Sequence, residues 1–167
     1  TSHPHIFATL SIVNEHDLKP EDIAAVRIGA PKRESRHTTS PPKKYPRNAE
    51  SADHSTFFTN AMAIKDRAVK ADAIKPENFT DPVVLDLIEK ITVEHDPSLS
   101  RYQGSSEILT KDGRRFYKRI DDPPGLGSVA LSDKELEEKF ADMASKYMDR
   151  EQIHKIFETC WNLDKVD

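Results

Sequence analysis

Cysteine occurs once in these 167 residues, at Cys160. A lone thiol excludes an internal disulfide framework, a Cys-x-x-Cys zinc site and a cysteine-ligated iron–sulfur cluster within the chain. It fits a reducing compartment, and the expected location is cytoplasmic. No apolar run approaches the length needed to cross a bilayer, and no basic-then-apolar leader is visible. Glycine is scarce, at 5 residues. No nucleotide-binding glycine spacing, nucleophile elbow, HExxH or zinc spacing is present. The loop Asp121–Gly127 does not follow a Rossmann-type first strand, so it is not read as a phosphate cradle. Aromatic residues make up 7% of the chain. The main basic segment has only Tyr45 to stack on a base, which argues against RNA. A net charge of −4 gives no reason to expect nucleic acid as a partner.

What is present suits one α+β domain of moderate size, with 36% hydrophobic and 32% charged residues. Thr1–His16 reads as a helix with Ile6, Leu10 and Val13 on its apolar face. His3 and His5 lie two apart, off a shared helix face, and suit no metal site; histidines at a helix start are usually solvated or capping. A turn at Lys19–Asp22 leads into a strand carrying Ile23, Val26 and Ile28. Asp81 caps a helix that opens on Pro82 and buries Val84, Leu85, Ile88 and Ile91. Thr92–His95 reads as a strand. Glu107–Thr110 and Arg115–Ile120 flank an Asp112-Gly113 turn, a strong hairpin signal because that turn needs positive φ. The sum is a small antiparallel-rich sheet covered by helices. Residues 131–167 add two terminal helices: one opened by a Ser132/Glu135 capping box and burying Leu136, Phe140, Met143 and Tyr147, and one capped by Asp149 with Ile153, Ile156, Phe157, Cys160 and Trp161 inward. Cys160 then reads as a packed core thiol.

Ser51–Val69 is the stretch around which the rest is organised. Phe57, Ala61, Ile64 and Ala68 recur at helical steps and point one face into a core. The polar group Asp53-His54-Ser55 stands where that helix begins. Two readings fit it: a cap with a surface histidine, or an anion site at a positive helix end. Before it, Lys32–Glu50 holds Lys32, Arg33, Arg36, Lys43, Lys44 and Arg47 among three prolines. That is either a solvated loop or a basic flap over an acidic small molecule.

Several stretches, in order, resemble the C-terminal half of the MmgE/PrpD family: His3-Pro4-His5 opening a helix, HDLKPEDIAAVRI (16–28), DHSTFFTNAMAI (53–64), FTDPVVLDLIEKITVEHDP (79–97), LTKDGRRF (109–116) and LSDKELEEKFADMA (131–144). The family includes 2-methylcitrate dehydratase, cis-aconitate decarboxylase and iminodisuccinate epimerase. The resemblance implies a C-terminal part of a longer, commonly dimeric two-domain protein, in keeping with a start at Thr1 inside a helix; the partner would be an N-terminal helical domain upstream of Thr1. It implies small di- or tricarboxylate substrates bound between the domains, proton abstraction next to a carboxylate, and no cofactor or metal. His3 matches the histidine that follows the second family lysine. His54 and Ser55 match a His-Ser-x-x-Tyr pattern whose tyrosine position is Phe58 here. His3 and His54 are therefore the expected catalytic residues. Ser55, Lys43, Lys44 and Arg47 are the expected substrate binders, the last three from charge and position alone. The rival expectation is a non-catalytic binding or subunit-assembly domain that uses the apolar stripes of the terminal helices.

Overall fold

The computed structural model describes residues 2–32, 38–126 and 128–165, so Thr1, Arg33, Arg36 and Gly127 of the segments above lie outside the described residues. The chain divides into two compact units, Thr1–Pro123 and Pro124–Asp167. The described residues form seven α-helices and one four-stranded sheet, an α+β architecture.

In the first unit, α1 (His3–Glu15) leads through a 3-10 turn at Pro20–Asp22 into β1 (Ile23–Ala30). Two short helices follow, α2 (Pro41–Lys44) and α3 (Ala49–Asp53), and then α4 (Thr56–Asp66), α5 (Pro82–Lys90) and β2 (Ile91–His95). The hairpin strands β3 (Gly104–Thr110) and β4 (Arg115–Ile120) complete the sheet. Strand order is β2-β1-β3-β4, with β1 parallel to β2 and antiparallel to β3. The parallel pair needs a crossover, and the connection between β1 and β2, which holds four helices, is long enough to supply it. The hairpin turns at Gly113, which adopts φ 87°, and Gly113 N–H donates to the Thr110 carbonyl. Val26, Ile28 and Ala30 of β1 and Ser106, Ile108 and Thr110 of β3 are buried, at alternate positions on each strand.

The helix expected over Ser51–Val69 is two helices. Asn48 caps α3, which stops at Asp53; His54 is its C-cap, and the chain restarts at Ser55. Ser55 Oγ accepts the Phe58 N–H at 3.0 Å, one of the donors that a helix start leaves unpaired. α4 ends at Asp66 because Arg67 turns left-handed at φ 53°, with its guanidinium on Asp17 and on the Leu18 carbonyl. The expected single apolar face is also revised. Phe58, Thr59, Asn60, Ala61, Met62, Ala63 and Ile64 are all buried, so α4 is enclosed nearly all round, against α1, α5 and β2. Phe58 is 1% exposed and meets Phe79 edge-on at 5.5 Å. Removing such a side chain from water contributes roughly 1.5–3 kcal/mol.

Two other faces differ from the sequence reading. On α1 the buried side is His5, Ile6, Ala8, Thr9, Ile12 and Val13, and Leu10 is half-buried. On α5 Leu87 is buried and Leu85 half-buried. Asp81 caps α5 as expected, accepting the Val83 N–H at 2.7 Å, and Lys65 Nζ reaches its other oxygen at 2.8 Å.

The second unit is a pair of helices, α6 (Asp133–Ala144) and α7 (Arg150–Trp161). The Ser132/Glu135 and Asp149/Gln152 capping boxes are both formed. Phe140 and Phe157 meet edge-on at 5.4 Å, and Trp161 Nε1 donates to Glu137 at 2.7 Å. Ile153 is buried and Ile156 half-buried as expected, but other residues of the expected stripes are not covered. Leu136 and Met143 are exposed, Tyr147 is 86% exposed, and Cys160 is a free, exposed thiol rather than a core one. Ala144 and Ile153 are the buried apolar residues here.

Candidate active site at the ends of α1 and α4

The polar residues of α1 and α4 decide how these two helices meet. Asn60 Nδ2 lies 3.0 Å from His5 Nδ1 and donates to the Thr56 carbonyl at 2.8 Å. Thr9 Oγ1 lies 2.7 Å from Asn60 Oδ1 and 2.9 Å from Ser106 Oγ on β3. All four side chains are buried. His5 and Asn60 sit in the first two turns of their helices, so the bond between them brings the N-terminal end of α1 beside the N-terminal end of α4. Two helix N-termini with positive dipole ends are thereby neighbours, a setting that favours an anion.

His3 occupies the first position of α1 and is exposed. His54 is exposed at the α3–α4 junction, with Nδ1 3.4 Å from Asp53 Oδ2. Ser55 is fully buried, and its hydroxyl donates to the Lys43 carbonyl at 2.5 Å while accepting from Phe58. This bond draws the basic segment over the start of α4. Thr38 joins it, accepting the Thr56 N–H at 3.3 Å and pairing with the Thr56 hydroxyl at 2.6 Å. Lys43 is half-buried beside Ser55. Lys44 turns to α5 and pairs with Glu89 at 3.0 Å. Arg47 is exposed, and its backbone N–H donates to Ser51 Oγ at 3.2 Å. The fold thus gathers Lys43, His54 and Ser55 at one helix start and ties the end of α1, with His3, to the next turn. Lys44 is engaged elsewhere.

His5 corrects the expectation that histidines at this helix start are solvated. It is 2% exposed, and burial first, then the positive charges of the chain's amino terminus and of His3, push its pKa down to about 3. It therefore stays neutral down to about pH 3. The signal for the network was in the sequence: Thr9 and Asn60 are polar residues set inside apolar helical runs, where a buried polar group needs a partner.

Residues 1–163 match the family model of the MmgE/PrpD C-terminal domain. The chain belongs to the MmgE/PrpD family. Among curated proteins it is similar to cis-aconitate decarboxylase of Mus musculus, at 24% identity over 129 residues, which covers 75% of this chain and 26% of that protein. Cis-aconitate decarboxylase of Homo sapiens is 24% identical over 129 residues, covering 75% of this chain and 27% of the relative. The chain spans about a quarter of the length of these relatives. The ring of Phe58, where the sequence resemblance expects a tyrosine, is part of the core. No described helix is long and apolar enough to cross a membrane.

Proposed function

We propose that this MmgE/PrpD domain supplies one wall of the active site of a lyase or isomerase acting on a small di- or tricarboxylate, in the manner of 2-methylcitrate dehydratase. The observation that carries this reading is the junction of two helix N-termini by the 3.0 Å His5–Asn60 contact, with His3 on one helix and His54 at the start of the other. Carboxylates are held by such helix ends and by cations such as Lys43 and Arg47. A histidine near neutral pH suits removal of a proton from the carbon next to a carboxylate. In a dehydration that proton is taken by the base, and the β-hydroxyl leaves as water with a proton from the acid. The reaction needs no electron acceptor. The rest of the site would come from an N-terminal helical domain, in a cytoplasmic homodimer serving propionate-type metabolism. Phe58 offers no hydroxyl, which favours dehydration over the decarboxylation named in the two relatives.

The test is turnover by the full-length gene product against 2-methylcitrate, cis-aconitate and iminodisuccinate, with this chain in parallel. Turnover of 2-methylcitrate by the long form alone supports a site shared between domains. Turnover of cis-aconitate with release of carbon dioxide replaces the dehydratase assignment. Turnover by neither form refutes the reading.

The exposed apolar residues Leu136, Met143, Tyr147, Trp161 and Leu163 favour a second reading, a subunit-assembly domain without its own chemistry. Sedimentation of this chain tests it. A monomer at all concentrations, with no binding of an apolar dye, counts against it.

A further inference from the structure

We propose that Asn60 and His5 are positioning residues for this site: a proton-ordered chain, Ser106–Thr9–Asn60–His5, holds His5 as its Nε2–H tautomer and clamps the first turn of α1 onto α4. The catalytic half of this inference rests on the functional reading above; the structural half does not.

The proton order follows from what each atom can do. The Thr56 carbonyl only accepts, so the Asn60 atom 2.8 Å from it is the amide nitrogen. The other amide proton then points to His5 Nδ1 at 3.0 Å, which must present its lone pair. Asn60 Oδ1 accepts the single Thr9 hydroxyl proton at 2.7 Å, so Thr9 in turn accepts from Ser106 at 2.9 Å. The ring proton of neutral His5 is left on Nε2, which is buried without a hydrogen-bond partner among the described residues. An apolar side chain would fill this place with no unmet donor. A histidine kept here at that cost serves the geometry that its Nδ1 fixes. Close packing leaves the clamp little play, because even a Cβ on Gly104 would come within 2.9 Å of the His5 backbone nitrogen. The clamped turn carries His3 two residues earlier, and Asn60 lies five residues beyond Ser55 and six beyond His54.

The test uses the full-length protein with 15N-labelled histidine. Two-bond proton–nitrogen spectra are expected to show His5 protonated at Nε2, bare at Nδ1 and unchanged between about pH 7 and about pH 5. An Nδ1–H tautomer, or titration in that range, overturns the chain. Asn60→Asp puts an acceptor against Nδ1 and is expected to move the ring proton there. Asn60→Leu removes the donor. In either variant kcat is expected to fall about tenfold to a hundredfold with KM changed less than about threefold, as a displaced catalytic group would give. A folded Asn60→Leu protein with unchanged kcat overturns the positioning role. Should the parent turn over none of the three acids, the functional reading falls and the catalytic half falls with it, while the ring spectrum still decides the structural half.

Discussion

Acid is expected to weaken the Thr1–Pro123 unit through His5, and the size of the effect follows from its burial. An unfolded chain returns this ring to water, where it takes a proton below its ordinary pKa of 6.5; the folded chain refuses that proton down to about pH 3. Between these values the unfolded state binds more protons, so stability falls as pH falls. The loss is about 2 kcal/mol at pH 5 and approaches 4–5 kcal/mol at pH 3, against a total of roughly 5–15 kcal/mol for an ordinary domain. The hydrogen-bonded groups joined to the ring, Asn60, Thr9 and Ser106, do not titrate, and the charges of the chain's amino terminus and of His3 oppose a second positive ring. The assay is urea unfolding followed by far-UV circular dichroism and by amide exchange in α4. Trp161, the single tryptophan, lies in the Pro124–Asp167 unit, so amide exchange in α4 is the direct probe of the Thr1–Pro123 unit. His5→Leu removes the titration, and its loss from pH 7 to pH 5 should be about 2 kcal/mol smaller than the parent's. Equal losses in the two proteins would refute the assignment of a buried, neutral His5.

Gly104→Ala places a Cβ 2.9 Å from the His5 nitrogen and 3.0 Å from Pro4 Cβ, and should lower stability by about 1–3 kcal/mol in the same urea assay. Phe58→Tyr adds a hydroxyl to a ring 1% exposed and packed on Phe79; this chain should lose about 1–3 kcal/mol, and an unchanged midpoint would mean the hydroxyl finds a partner. Ser132→Ala breaks the capping box of α6, and tryptophan fluorescence, which reports the Pro124–Asp167 unit, should show a loss of about 1 kcal/mol there.

Local chemistry made parts of this fold legible. The β3–β4 hairpin was readable because Gly113 supplies the positive φ its turn needs, and α5 because Asp81-Pro82 caps and starts a helix within two residues. The start of α4 was marked by Ser55, but the break after Asp53 was not, because Ala49–Asp53 has no apolar period of its own. The stripes on α6 and α7 were real; periodicity says which face is apolar and not what covers it, so Tyr147 and Cys160 were expected inside and stand outside. His5 was misread for a related reason. Its partner Asn60 is 55 residues away, and tertiary contact alone turns a helix-start histidine into a buried one. His3, His54 and Ser55 were named from the family resemblance residue by residue, and Lys43, Lys44 and Arg47 from charge and position, which cannot foresee an ion pair such as that of Lys44 with Glu89.

The most direct measurement is turnover of 2-methylcitrate by the full-length gene product and by its His54→Ala variant, both shown to be folded. The expected result is activity in the parent and a loss of about a hundredfold or more in the variant, the usual cost of a missing general acid or base. A folded parent without activity, or a variant as active as the parent, would contradict a polycarboxylate site built on the start of α4.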